Sequence, residues 1–325
     1  MTLSPSVKHR TSCGIPLRAS ATMDTPVNAP EITTATLLID CPDRKGLVAA
    51  IINFLVDRYD VNILNADQHQ DAELGLFFMR VEFSTSAFST SAFSTDAPGL
   101  NEANFRAAIT PVAEQFHMNW RIEFAAVRQN VALFVSQYLH CLADLLHRHQ
   151  AGEFRANIAL IVSNHLAAQP LAEFYGIPFH YLPVTRENKA EIEAQQLALL
   201  QQHSIDLVIL ARYMQILSPA FVAAYPRRII NVHHSFLPAF TGAKPYHAAF
   251  ARGVKLIGAT SHYVTAELDE GPIIEQDVAR VSQNDQLPSL IQKGRDLERL
   301  VLSRAVQWHL DHRILSYANK TVIFA

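Results

Sequence analysis

The segment Ile230-Asn231-Val232-His233-His234-Ser235-Phe236-Leu237-Pro238 places an amide and an imidazole two residues apart at the end of a short apolar run. Side chains alternate along an extended strand, so Asn231 and His233 project to one side and Val232 to the other. Both can donate to an amide carbonyl oxygen as it gains negative charge under attack, which is the chemistry of an oxyanion hole. Such an attack also needs a base, because water is a poor nucleophile toward an amide carbon and an amine leaves badly unless protonated. Downstream, Leu268-Asp269-Glu270-Gly271-Pro272 supplies a carboxylate ahead of a turn, which should hold it on a loop beside the sheet. One carboxyl that takes a proton from water and returns it to the amine serves both steps. Asn231, His233 and Asp269 are therefore the expected catalytic set. Each taken alone is an ordinary structural residue, and only the combination points to chemistry.

Other chemistries fit less well. His233-His234, His147-x-His149 and His309-x-x-His312 offer imidazoles, but adjacent strand histidines do not readily chelate one ion, and no HExxH spacing occurs. No metal is expected. Ser235 lacks the GxSxG elbow that would expose a nucleophile. Cys13, Cys41 and Cys141 lie far apart without CxxC spacing and read as reduced thiols.

The elements that must position these groups follow from hydrophobic periodicity. Thr36–Ile39 reads as a strand, Leu47, Val48, Ile51, Ile52 and Leu55 recur at helical spacing, and Ile63–Gln68 and Leu76–Phe83 read as further strands. A helix over Asn104–Phe116 and a strand over Asn119–Ala125 complete a βαββαβ order, that of a ferredoxin-like domain. After Arg128 and Gln129 the rhythm changes. Strands Val131–Val135, Asn157–Ser163, Phe179–Leu182, Asp206–Leu210 and Arg228–Val232 alternate with helices Cys141–Gln150, Leu166–Tyr175 and Lys189–His203. That alternation predicts a mostly parallel α/β sheet, whose ligands bind outside the carboxyl ends of its strands. A long helix over Leu287–His312 and a hairpin, Ile314–Tyr317 and Thr321–Phe324 turning at Asn319-Lys320, close the chain. The expected organisation is a disordered leader over 1–32, a small domain over 33–127 and a catalytic domain over 128–325. Within the small domain, a five-residue Phe-Ser-Thr repeat makes a low-complexity loop over 83–96.

With 325 residues, 49% hydrophobic and 18% charged, the chain has the composition of an ordinary globular protein of two domains. A formal net charge of −3 excludes the basic field that nucleic acid or anionic lipid would require, and no apolar run is long enough to span a bilayer. The first 23 residues hold Lys8, Arg10 and Arg18 and no acid; a disordered segment ahead of an internal start at Met23 is expected, with organellar targeting as the alternative.

The two motifs resemble the Asn-x-His and Leu-Asp-x-Gly-Pro signatures of folate-dependent formyltransferases and hydrolases. Over about residues 35–325 the chain resembles most closely the formyltetrahydrofolate deformylases, which join an amino-terminal ACT domain to a formyltransferase domain of Rossmann-like fold. The resemblance runs through Cys41-Pro42-Asp43-Arg44-Lys45-Gly46-Leu47, Phe77-Phe78-Met79-Arg80, His140-Cys141-Leu142-Ala143-Asp144, Ala211-Arg212-Tyr213-Met214-Gln215-Ile216-Leu217 and Gly242-Ala243-Lys244-Pro245-Tyr246-His247. It implies hydrolysis of 10-formyltetrahydrofolate to formate and tetrahydrofolate, which balances the one-carbon folate pools and supplies formate for purine synthesis. It also implies a pterin pocket at Met214, Gln215, Ile216 and Leu217 with Val264 and Thr265, and no cofactor, the folate being the substrate. For the ACT part it implies subunit pairing in a homo-oligomer and a small amino-acid effector, glycine or methionine, at Asp43, Gly46 and Leu47. A cytoplasmic location is expected, with a mitochondrial one as the alternative.

The rival on the same scaffold is a phosphoribosylglycinamide formyltransferase, whose acceptor carries a phosphate that a glycine-rich loop after the first catalytic strand would cradle. Here that position reads Ser136-Gln137-Tyr138-Leu139-His140, without glycine. A non-catalytic amino-acid sensor accounts for the first domain and leaves the Asn231, His233 and Asp269 set unexplained.

Overall fold

The amino-terminal βαββαβ order is met by four antiparallel strands in the order β2-β3-β1-β4 with two helices on one face, as in an ACT-like unit. The computed structural model describes residues 34–85, 102–239 and 245–325, together with Met1. The leader, most of the Phe-Ser-Thr repeat and Gly242-Ala243-Lys244 lie outside the described residues. In this unit β1 is Thr34–Pro42, α1 Leu47–Tyr59, β2 Ile63–Asp71, β3 Leu76–Ser84, α2 Glu102–Phe116 and β4 Asn119–Phe124. Leu47, Ile51, Leu55 and Tyr59 recur every four residues along α1 and form its buried stripe. They pack with Phe105 and Ile109 of α2 against Leu37, Ile39, Val81 and Phe83 on one face of the sheet. The strand period of two turns Leu38 and Phe78 to the opposite face, where they need a second cover.

A seven-stranded sheet follows, in the order β11-β10-β9-β8-β5-β6-β7. Its members are β5 Gln129–Val135, β6 Ala156–Ser163, β7 Phe179–Tyr181, β8 Leu207–Leu210, β9 Ile229–His233, β10 Leu256–Tyr263 and β11 Ile273–Arg280. Helices α3 His140–Gln150, α4 Gln169–Tyr175, α5 Lys189–Gln202, α6 Pro219–Ala224, α7 Pro245–Arg252 and α8 Leu287–Leu310 connect and cover it. The run β7-β6-β5-β8-β9 is parallel, as expected from its apolar strands. The order reverses between β5 and β8, so a crevice opens at their carboxyl ends.

Two strands depart from the sequence expectation, since β10 and β11 extend the sheet antiparallel beyond β9. The β10 segment Leu256-Ile257-Gly258-Ala259-Thr260-Ser261-His262-Tyr263 has neither an apolar run nor alternation, yet all but Leu256 are buried. Its polar groups are satisfied within the fold: Thr260 Oγ1 donates to Ser235 O at 2.9 Å and Ser261 Oγ to Asn231 O at 3.1 Å. Other element ends shift by one or two residues.

The terminal hairpin, β12 Ile314–Tyr317 and β13 Lys320–Ile323, supplies the second cover. Leu315, Val322 and Phe324 pack on Leu38 and Phe78 of the amino-terminal sheet. Its turn is Ala318-Asn319, one residue earlier than expected, because Tyr317 pairs with Lys320. The other side of the hairpin holds the chain beyond β10: Asn319 Nδ2 donates to Glu270 O at 2.8 Å and Thr321 Oγ1 to Ile273 O at 2.6 Å. Among the described residues, no helix is long and apolar enough to cross a membrane.

Candidate active site

Strand β9 delivers Asn231 and His233 to one cleft of about 290 Å³ at the carboxyl ends of β8 and β9. The loop after β8 forms one wall and the loop after β10, Val264 to Asp269, the other. Asp269 has a left-handed backbone, φ 57°, a conformation a non-glycine residue adopts only when its surroundings enforce it. The enforcement is visible. A side chain on Gly271 would meet Tyr263 O at 1.7 Å, Tyr263 N donates to Pro272 O at 3.0 Å, and the hairpin grips the carbonyls of Glu270 and Ile273.

So held, Asp269 Oδ2 lies 3.1 Å from His233 Nδ1, and Oδ1 lies 3.6 Å from His262 Nε2. Burial works against the charge of Asp269, but His233 and His262 beside it outweigh that and hold its carboxyl well below the usual carboxylate range. His233 is 6% exposed, and its Nε2 is buried with no hydrogen-bond partner among the described residues. That nitrogen therefore awaits a ligand atom. Asn231 Nδ2 lies 3.3 Å from His262 Nε2, and His262 Nδ1 lies 2.9 Å from Tyr263 O. A carbonyl only accepts, so Nδ1 carries a hydrogen, while Nε2 faces both Asn231 Nδ2 and Asp269 Oδ1.

The structure thus brings together the three residues expected to be catalytic, and adds His262. Antiparallel pairing sets His262 opposite Asn231 across β9 and β10, a register unreadable once β10 itself is not recognised. Met214, Gln215, Ile216, Leu217, Val264 and Thr265 all line the cleft. Met214 and Ile216 are exposed at its rim, at 46% and 61%, whereas Leu217 is buried in the core beneath. Apolar side chains left open beside polar ones suit a flat heterocycle. Asp43, Gly46 and Leu47 line a different cavity of about 500 Å³ at the start of α1, where Gly46 has φ 93° and Gln70 donates to Asp43.

The side chains of the loop after β5 are tied to neighbouring segments. Ser136 Oγ donates to Asn164 at 2.6 Å and accepts from Met214 N at 3.0 Å, while Arg212 lies over the Tyr138 ring. His140 Nε2 and Tyr246 OH each lie 2.7 Å from the buried carboxylate of Glu298, with Arg212 Nε at 3.3 Å. Burial alone would raise the Glu298 carboxyl, but His140 and Arg212 bring it below its ordinary value. Cys141 beside it completes a His140, Cys141 and Glu298 group within 4.8 Å. With Glu298 already engaged and burial pushing the Cys141 thiol up, this group reads as a structural network.

Comparison with known proteins assigns the family. The formyl transferase family matches residues 129–306. A formyltetrahydrofolate deformylase of Synechocystis sp. (strain ATCC 27184 / PCC 6803 / Kazusa) is 53% identical over 90% of this chain and 99% of its own. The crystal structure of a formyltetrahydrofolate deformylase from Pseudomonas syringae pv. tomato str. DC3000 superposes with a TM-score of 0.85 at 46% identity, covering 92% of this chain and 96% of that one. A phosphoribosylglycinamide formyltransferase from Anaplasma phagocytophilum matches only 61% of this chain, at 30% identity and a TM-score of 0.56, while 96% of its own length is covered. The likeness to the transferases is partial and that to the deformylases extends over nearly the whole chain, which belongs to the formyltetrahydrofolate deformylase family.

Proposed function

We propose that the protein is an enzyme that hydrolyses 10-formyltetrahydrofolate to formate and tetrahydrofolate, with Asn231, His233 and Asp269 as its catalytic residues. The observation that carries the reading is the 3.1 Å pairing of Asp269 with His233 at a cleft into which Asn231 also faces. Water attacks the formyl carbon, and Asp269 takes its proton as the new C–O bond forms. The formyl oxygen becomes the oxyanion and accepts from Asn231 and from His233 Nε2 in its doubly protonated form. As the C–N bond breaks, Asp269 returns the proton to the departing amine. Met214, Gln215, Ile216, Leu217, Val264 and Thr265 hold the pterin. This scheme uses no cofactor and no metal, since side chains handle both the proton and the charge. The formate serves purine synthesis, and the reaction sets the ratio of free to formylated folate.

Transfer to a ribonucleotide is disfavoured because the loop after β5 has no glycine to let backbone N–H groups close on a phosphate, and its Ser136 and His140 are held by Asn164 and Glu298. The deciding experiment incubates the protein with 10-formyltetrahydrofolate, with and without glycinamide ribonucleotide, and follows formate and tetrahydrofolate. Faster formylation of the ribonucleotide than release of formate would overturn the hydrolase reading.

We read residues 33–127 as regulatory and 128–325 as catalytic. The cavity at Asp43, Gly46 and Leu47 suits glycine or methionine: the start of α1 offers free N–H groups to a carboxylate, and the glycine admits close approach. The reading also includes a cytoplasmic homo-oligomer. Calorimetric titration of both amino acids into the native protein and Gly46→Val, alongside formate release, tests the effector. Failure of both to bind or to change the rate would leave the small domain an assembly element.

A further inference from the structure

Beside the reaction cleft lies a second cleft of about 230 Å³, and Arg212, Met214 and His234 stand in the walls of both. Its far side carries Tyr138 and Arg295, and the guanidinium carbons of Arg212 and Arg295 each lie 5.7 Å from the Tyr138 ring centre. Glu298 is the one carboxylate among its lining residues, set against the two arginines. It is already engaged by His140, Tyr246 and Arg212. Arg212 is 8% exposed, and its Nε has no hydrogen-bond partner among the described residues despite standing 3.3 Å from Glu298. Arg295 is partly buried, touches the Tyr138 ring and has no ion pair among the described residues. One carboxylate therefore faces two guanidinium groups with donors to spare, in a recess that opens next to the reacting groups.

We infer that this second cleft is a carboxylate subsite and that it receives the formate released by hydrolysis, an inference that rests on the hydrolase reading above. A guanidinium fork matches a planar carboxylate in both charge and geometry, and Arg295 has its fork free. Formate forms beside the carboxylate of Asp269, which the two histidines keep ionised, so like charges meet as soon as the product loses its proton to solvent. A positively charged recess sharing a wall with the reaction cleft draws the anion away from Asp269. The glutamate carboxylates of the folate itself have the same chemistry and are the competing occupants.

The test titrates [13C]formate into the full chain at constant ionic strength and follows its linewidth. In parallel, sodium formate is compared with sodium chloride as an inhibitor of the initial rate. Saturable binding is expected for the native protein, weakened about tenfold in Arg295→Met, as for loss of one charge-assisted bond at a partly exposed site, and partly restored in Arg295→Lys. Unchanged formate binding in Arg295→Met overturns the assignment. So does a raised KM for the folate with unchanged formate affinity, which would give the cleft to the glutamate carboxylates. If the native protein releases no formate yet binds it through Arg295, the carboxylate site stands and the hydrolase reading falls.

Discussion

Asp269 stands between two demands. A base should hold a proton readily, yet His233 and His262 stabilise its charge so strongly that it stays a carboxylate throughout the physiological range. Its proton uptake must therefore follow the growth of negative charge on the substrate oxygen, which weakens the pull of His233 on the carboxylate. Asp269→Asn keeps the shape and cannot carry the proton; kcat should fall by about 10² to 10⁴ while folate binding stays within a few-fold. Retention of more than about a tenth of native kcat would remove Asp269 from the role of base. Asn231→Ala and His233→Ala should each lower kcat more than they raise KM, by roughly 3 to 4 kcal/mol in barrier. Effects confined to KM would make them mere substrate holders. These three residues were legible in the sequence because a strand puts alternate side chains on one face and the turn after Asp269 is local. His262 was not, since its place opposite Asn231 depends on a strand pairing 31 residues apart.

The loop from Val264 to Pro272 turns back so sharply that backbone meets backbone at Gly271. Any Cβ there collides with Tyr263 O, which is β10 backbone and cannot swing aside as a flexible side chain would. Gly271→Ala is therefore expected to displace Asp269 and to lower kcat by at least about tenfold, since misplacement by 1 Å can cost 10². Full activity at unchanged thermal stability would show that the loop has slack. The parallel strands were readable as apolar runs, and the antiparallel pair was not. β10 buries Thr260, Ser261 and His262 against partners supplied by other segments, so its sequence looks polar although its position is interior. The same dependence on distant partners hid the Glu298 network, which joins α3, α7 and α8.

Where the amino-terminal sheet meets the end of α8, two histidines are kept neutral. Burial foremost, with Arg121 and His312 nearby, pushes His309 down to about 3, and burial with Arg121 and Arg80 pushes His312 down to about 4. Unfolded histidine takes up a proton near pH 6.5, whereas these refuse one in the native state. Their contribution to stability is complete above about pH 6.5 and is lost as pH falls toward the folded values, by up to ~1 kcal/mol per pH unit for each after allowance for partial exposure. Urea unfolding between pH 7.5 and 5 should show this slope, and His309→Gln should flatten it; equal slopes in both proteins would discount His309. The two sheets could be told apart in the sequence by their rhythms, but not the hairpin's double attachment, because its partners Leu38 and Phe78 stand far away in the chain. That attachment bears on modularity. A regulatory unit joined only by a linker could be cut away or exchanged, leaving a working enzyme. Here the excised fragment 128–325 would carry Leu315, Val322 and Phe324 bare to water, on the same hairpin whose Asn319 and Thr321 steady the Asp269 loop. That fragment is expected to aggregate and to lose kcat at saturating folate, and a soluble fragment with native kcat would refute the idea. Grafting this catalytic half onto a foreign sensor would then mean transplanting a sheet face, with Leu38 and Phe78 on it, and not merely splicing a linker.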